Sequence, residues 1–301
     1  MEPQNKYFKL LLIIAMCLFF GGLFVVIGTA LVPFVFDVDA SEISSIYNNP
    51  LKTGNTSILK FLQFFNSIGL FILPGLIFYL IFQRNQIKQT FHVSISLPIF
   101  LLTILISLSS LPLIGYLGEW NASLELPSLF HEIEFWMKTA EEKAAKLTKA
   151  FLQMESQEDL LINLILIAIL PAIGEELIFR GILQKTINQG LNNKHWGVWV
   201  SALLFSAIHL QFYGFFPRVL LGAVFGYLFL WSRNLWIPIF AHFLNNGIAV
   251  LVSYRFGFNS MEKQLEESDT TQSLLLFLVS CLFFLAFILS FRKYALRERI
   301  D

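Results

Sequence analysis

The chain has 301 residues, 56% of them hydrophobic, with a mean hydropathy of +0.66 and no formal net charge. Soluble domains are usually about 45–50% apolar, and apolar runs near twenty residues recur along this sequence, which excludes a soluble globular fold and points to an all-α polytopic membrane bundle. The neutral balance gives no pull toward nucleic acid, and two distant cysteines, Cys17 and Cys281, supply neither a disulfide framework nor metal-ligand spacing.

About eight membrane helices are predicted, at 9–36, 61–83, 95–118, 160–180, 197–214, 217–232, 235–253 and 272–291, the sixth being the shortest. The first follows Lys6 and Lys9 and is longer than a signal-peptide core of about 7–15 residues, so it reads as a retained membrane helix. Basic residues follow the even-numbered helices: Arg84 and Lys88, then Lys185 and Lys194, then Arg233, then Arg292, Lys293, Arg297 and Arg299. The positive-inside bias makes both termini cytoplasmic. The segment from Asn121 to Asp159 carries eight acids against four lysines and falls on the outside.

Within that segment, Leu129, Ile133, Trp136, Met137, Ala140, Ala144, Leu147, Phe151 and Met154 recur at helical spacing. Two readings fit the stripe: a helix lying on the bilayer and covering a site, or a connector packed against the bundle. The second is the simpler. Residues 1–154 are then a three-helix extension with an amphipathic outer loop. Residues 155–255 form the polar core, and 256–301 a loop, a closing helix and a basic tail. The first three predicted helices have no interior charge.

Charge inside a bilayer is costly and marks function by default. The fourth helix ends in Gly174-Glu175-Glu176-Leu177-Ile178-Phe179-Arg180. Glu176 and Arg180, four apart with the acid first, suit an ion pair. Glu175 points about 100° away and has no sequence-local cation, which suits general acid or base work. A purely structural Glu–Arg clamp fits the heptapeptide equally well. Pro171 weakens this helix, and Gly181 is placed to end it.

His209 is a lone imidazole in the fifth helix, with Phe205 on its face as a cavity wall. His242 and Asn246 share a face of the seventh helix and could donate hydrogen bonds to an oxyanion. They could equally be interhelical polar glue. One tension stands out: Glu175 falls near the cytoplasmic side, whereas His209 lies twelve residues into its helix, about 18 Å deep. Gly222 and Gly226 form a close-contact pair, while Asn163 and Arg218 read as packing residues. Asn121-Ala122-Ser123 fits a glycosylation acceptor pattern.

Glu-Glu-x-x-x-Arg, then Phe-x-x-x-His, then His-x-x-x-Asn, each on its own helix, resembles the CPBP family, the type II CAAX prenyl proteases and bacteriocin-processing (Abi) membrane proteins. The resemblance covers residues 160–250. It implies a glutamate-dependent intramembrane endopeptidase acting on a membrane-associated peptide. Glu175 would activate water, His209 would hold it, and His242 with Asn246 would form the oxyanion hole. Glu176 and Arg180 would be structural partners. No cofactor is implied. Zinc on Glu175, His209 and His242 is a weaker alternative resting on ligand type alone. Other functional classes that fit are a non-catalytic scaffold holding a partner or lipidated tail, and an ion or proton-coupled transporter. A bacterial cytoplasmic membrane is the expected location.

Overall fold

The computed structural model describes residues 6–52, 54–92, 95–191, 193–257 and 270–298. Most of the loop after residue 257, and Arg299, lie outside the described residues. The described chain is helical, with no strand among those residues. Its main helices are α1 Lys6–Phe36, α2 Asn55–Phe82, α3 Leu97–Ala122, α4 His131–Leu152, α5 Gln157–Leu191, α6 Lys194–Ala207, α7 Phe215–Ser232, α8 Trp236–Phe256 and α9 Thr270–Arg297.

Seven of these are long and apolar enough to cross a membrane. The expected span at 197–214 is not among them. α6 has 14 residues, about 21 Å at the helical rise, short of a hydrocarbon core of about 30 Å. The sixth predicted span, by contrast, is full length, reaching from Phe212 to Ser232.

The chain nonetheless traverses the bundle eight times, as contacts at its two ends show. At one end Lys6 Nζ donates to Gly190 O at 2.9 Å, joining the start of α1 to the end of α5. There too Leu235 N–H donates to Thr90 O at 2.8 Å, and Phe291 and Ala295 of α9 pack with Ile99 and Ile237. At the other end Asn121 joins α3 to the α6–α7 loop, Ser253 of α8 donates to Leu152 O, and Val32 packs with Ile58 and Ala150. α1 therefore begins, and α9 finishes, at the same end of the bundle.

Close packing in lipid needs small residues, because no hydrophobic drive separates helix from tail. Gly21 and Gly28 of α1 abut Leu70 and Phe65 of α2, and Gly69 lies so close to α1 that a Cβ would sit 2.6 Å from Phe20 O. α2 begins earlier than predicted, at Asn55, and so brings a charge into the extension. Lys60 is buried and pairs at 3.2 Å with Asp159 at the start of α5.

α5 departs most from expectation. It does not stop at Gly181 but runs on to Leu191, widening into π-helical turns at Leu164–Ile169 and Leu177–Gln184. Such turns absorb the hydrogen bond that Pro171 cannot make, and they often mark functional segments. Gly181 serves contact rather than termination: Tyr79 donates its hydroxyl to Gly181 O at 3.0 Å, and a Cβ there would meet that hydroxyl at 2.6 Å.

The amphipathic helix α4 is packed along its second half, where Ala150, Leu147 and Phe151 join the core of α1 and α2. Its first half leaves Leu129, Ile133, Phe135 and Trp136 exposed near the α6–α7 loop. The packed-connector reading thus describes the second half of the helix.

Glycine spacing gives a stability test. Gly69→Ala should destabilise the fold by about 1–3 kcal/mol, because backbone and not only side chain must move. Gly115→Ala, with nothing within 4 Å of its Cβ position, should be neutral. Thermal unfolding of the two variants in one detergent makes the comparison.

Candidate active site

The site is built on a charged node at the centre of α5. Arg180 Nη1 donates to Glu176 Oε1 at 2.8 Å, and the same oxygen receives His242 Nδ1 from α8 at 2.9 Å. Glu176 and Arg180 are fully buried and His242 nearly so. Glu176 is thus more than a clamp for its own helix: it fixes the imidazole of another. Desolvating these groups is costly, and their mutual bonds offset that cost only if the geometry is good.

Arg180 also reaches α7, donating from Nη2 to Gly222 O at 2.9 Å. One turn on, Gln184 Nε2 donates to Gly226 O at 2.9 Å. Two side chains four apart on α5 therefore grip two glycine carbonyls four apart on α7. At Gly226 the absent Cβ makes the approach possible, since a Cβ there would lie 2.9 Å from Gln184 Oε1; at Gly222 it would meet Ala202 and Phe205 of α6 instead. Gln184 was missed in the sequence, although its spacing from Arg180 matches that of Gly222 and Gly226. The Arg180 guanidinium lies 4.7 Å from the Phe205 ring and 5.5 Å from Phe225. Those π faces partly replace the water its charge has lost.

His209 does not lie within a helix as predicted. α6 stops at Ala207, His209 follows in a turn, and Leu210 takes a left-handed φ of 52°. The strained residue redirects the chain at once toward α7, at a cost of about 1–3 kcal/mol. His209 Nδ1 lies 2.7 Å from Phe205 O. That carbonyl can only accept, so Nδ1 carries the proton and Nε2 presents a lone pair. Phe205 lies under both imidazoles, its ring 5.2 Å from that of His209 and 5.9 Å from that of His242. The predicted wall residue is therefore the shared floor. Phe225, not anticipated, stacks on His242 at 5.2 Å and 18°.

The depth tension disappears with the revised helices. Glu175 precedes the end of α5 by 16 residues and His209 follows the start of α6 by 15, so the two lie about 24 and 22 Å from helix ends that face the same side. Glu175 is deeper than the apolar run alone suggested. The residue is 9% exposed, and its carboxylate has no hydrogen-bond partner among the described residues. The charges that reach it are those of His242, Glu176, Arg180 and Arg218.

Asn246 is within this neighbourhood but partly committed. Its Nδ2 donates to Ile167 O at 2.9 Å, in the first π turn of α5, and its Oδ1 accepts from Asn245. The carbonyl takes one of two amide protons, leaving one N–H. Glu175, His209 and His242, the set considered for zinc, do not form a metal-sized cluster: among the described residues no three His, Cys, Asp or Glu side chains are so grouped. A cavity of about 330 Å³ opens beside the site between α3, α5 and α8, lined by apolar residues that include Ala172, Ile173 and Phe243. Asn121 is no glycan acceptor in this arrangement: it is buried, its Nδ2 donates to Phe212 O in the α6–α7 loop, and its Oδ1 accepts from Phe216 N–H in the first turn of α7.

Residues 157–248 match the family of type II CAAX prenyl endopeptidases, Rce1-like. This Rce1-like stretch is under a third of the chain and holds every motif residue named above. Two Bacillus subtilis (strain 168) proteins are similar to it. "Uncharacterized protein YpbD" is 29% identical over 90 residues, 29% of this chain and 43% of that protein. "Putative membrane peptidase YdiL" is 28% identical over 117 residues, 39% of this chain and 47% of that protein. The chain thus spans less than half the length of either relative. No solved structure matches it significantly.

The node predicts an ordered series of losses. Arg180→Met leaves Glu176 as a buried charge with one partner fewer and should cost about 3–5 kcal/mol. Gln184→Ala removes a neutral hydrogen bond to Gly226 O, which keeps its own helical bond within α7, a loss of about 0.5–1.5 kcal/mol. Denaturant or thermal unfolding in detergent should rank Arg180→Met well below Gln184→Ala, with wild type highest.

Proposed function

We propose that the chain is an intramembrane endopeptidase that hydrolyses a peptide bond in a membrane-associated substrate. What carries this reading is that His209, just after α6, and His242 of α8 both pack on the Phe205 ring, while Glu176, the neighbour of Glu175 on α5, holds His242, all inside the Rce1-like stretch. The family match supports CAAX-type peptidase chemistry, and a prenylated tail or a leader peptide is the substrate class that follows from it.

In this reading Glu175 takes a proton from water, and the lone pair of His209 Nε2 accepts the water's second hydrogen, so that the water is held between two acceptors. The oxygen attacks the scissile carbonyl directly, with no covalent enzyme intermediate. The free N–H of Asn246 and Nε2 of His242 meet the developing oxyanion. With Nδ1–H engaged by Glu176, His242 can donate from Nε2 only when both nitrogens carry protons. Glu176 serves that step by sharing its carboxylate between His242 and Arg180. The proton taken by Glu175 passes to the leaving amine. No step runs through a metal ion.

The bacterial relatives and the positive-inside pattern favour a bacterial cytoplasmic membrane with both termini in the cytoplasm. α1 and α9 meeting one end of the bundle agrees with that orientation.

The test is cleavage of membrane-tethered peptides by purified protein, with and without a chelator. Glu175→Gln should lower turnover by at least about 10²-fold, the scale of general base catalysis, while leaving unfolding unchanged. Full activity of that variant would end the assignment. Loss of wild-type cleavage on chelation, restored by zinc, would return the metal alternative.

A further inference from the structure

Arg218 stands one turn into α7, in the apolar stretch Phe215-Phe216-Pro217-Arg218-Val219-Leu220. A guanidinium in such a place is costly without a counter-ion. Arg180 has one; among the described residues, Arg218 pairs with no carboxylate. Its bonds go to neutral oxygens of a single residue: Nη1 to Gln211 O at 3.2 Å and Nη2 to Gln211 Oε1 at 2.9 Å.

The acids whose charges reach Arg218 are Glu141 and Glu175. Glu141 is occupied elsewhere, its Oε2 accepting from Tyr213 N–H at 3.3 Å. Arg218 also acts electrostatically on His209. A half-buried cation is thus held by Gln211, two residues after His209, with three of its five N–H donors unbonded among the described residues.

We infer that Arg218 is a specificity-determining residue that binds a carboxylate carried by the peptide substrate. The planar fork of a guanidinium matches a carboxylate with two parallel bonds. Gln211 holds that fork in place before the ligand arrives. The sequence suggested a packing or interface role for Arg218; tertiary structure ties it to the loop that carries His209. The inference rests on the peptidase reading for its substrate and extends it to the substrate's charge.

The experiment uses three forms of one membrane-tethered peptide: a free C-terminal acid, a C-terminal amide, and the amide with an added Glu side chain. Cleavage and direct binding are both measured with purified full-length protein. Wild type should favour the acid over the amide by roughly 10–100-fold, the worth of a charge-assisted bond. Arg218→Gln should bring that ratio near one, mainly through KM, and Arg218→Lys should retain part of it. If the Glu-bearing amide behaves like the acid, a side chain suffices. If it behaves like the plain amide, the terminal carboxylate is the ligand. Either result supports the assignment.

Equal handling of acid and amide by wild type overturns it, as does an unchanged ratio in Arg218→Gln. If Arg218→Gln does not fold, the wild-type ratio and Arg218→Lys still decide. Acid-selective binding without cleavage would sink the peptidase reading and spare this one. Cleavage without acid preference would do the reverse.

Discussion

The bond between Glu176 of α5 and His242 of α8, shared with Arg180, is the constraint on which the core depends. Three polar groups are buried together where neither lipid nor water can satisfy them. Each is tolerable only because the others are in place. That interdependence fixes the rotation of α5 about its own axis. Once Glu176 faces His242, Glu175 must face elsewhere, because neighbouring helical side chains diverge by about 100°. The node therefore positions Glu175 without touching its carboxylate.

The same node explains why α7 is rich in glycine where α5 is rich in polar side chains. Arg180 and Gln184 reach past the surface of α7 to its carbonyls; Gly226 leaves room for Gln184, while Gly222 leaves room for Ala202 and Phe205 of α6. Helix packing in lipid usually trades on small residues alone. Here a small residue on one helix also lets a long polar residue on the other make a side chain-to-backbone bond. The aromatic rings of Phe205 and Phe225 complete the enclosure, each packing on the Arg180 guanidinium and on His242.

Outside the core, α1 and α2 brace α5 through close glycine contacts. α4 is tied to the loop bearing His209 by the Tyr213 N–H, which donates to Glu141 Oε2. α6 is short, and its shortness brings His209 below the end of the bundle to the level of Glu175. A full-length helix there would have carried His209 past the site. The left-handed Leu210 marks where the chain leaves that depth.

The sequence by itself determined the helical membrane class and most of the spans, and it singled out the candidate residues of the site. Those signals are local: apolar run length, four-residue spacing, and the rarity of charge in lipid. It could pair Glu176 with Arg180 because they share one helix face. It could not tell that Glu176 also holds His242, that α5 continues through Gly181, or that α6 stops before His209. Those outcomes depend on neighbours distant in sequence. Gly181 continues the helix because Tyr79 packs on it, and Arg218 is tied to the loop that carries His209 because Gln211 holds it there. Tertiary structure alone decided depth, since depth is set by where each helix meets the others and not by how apolar it is.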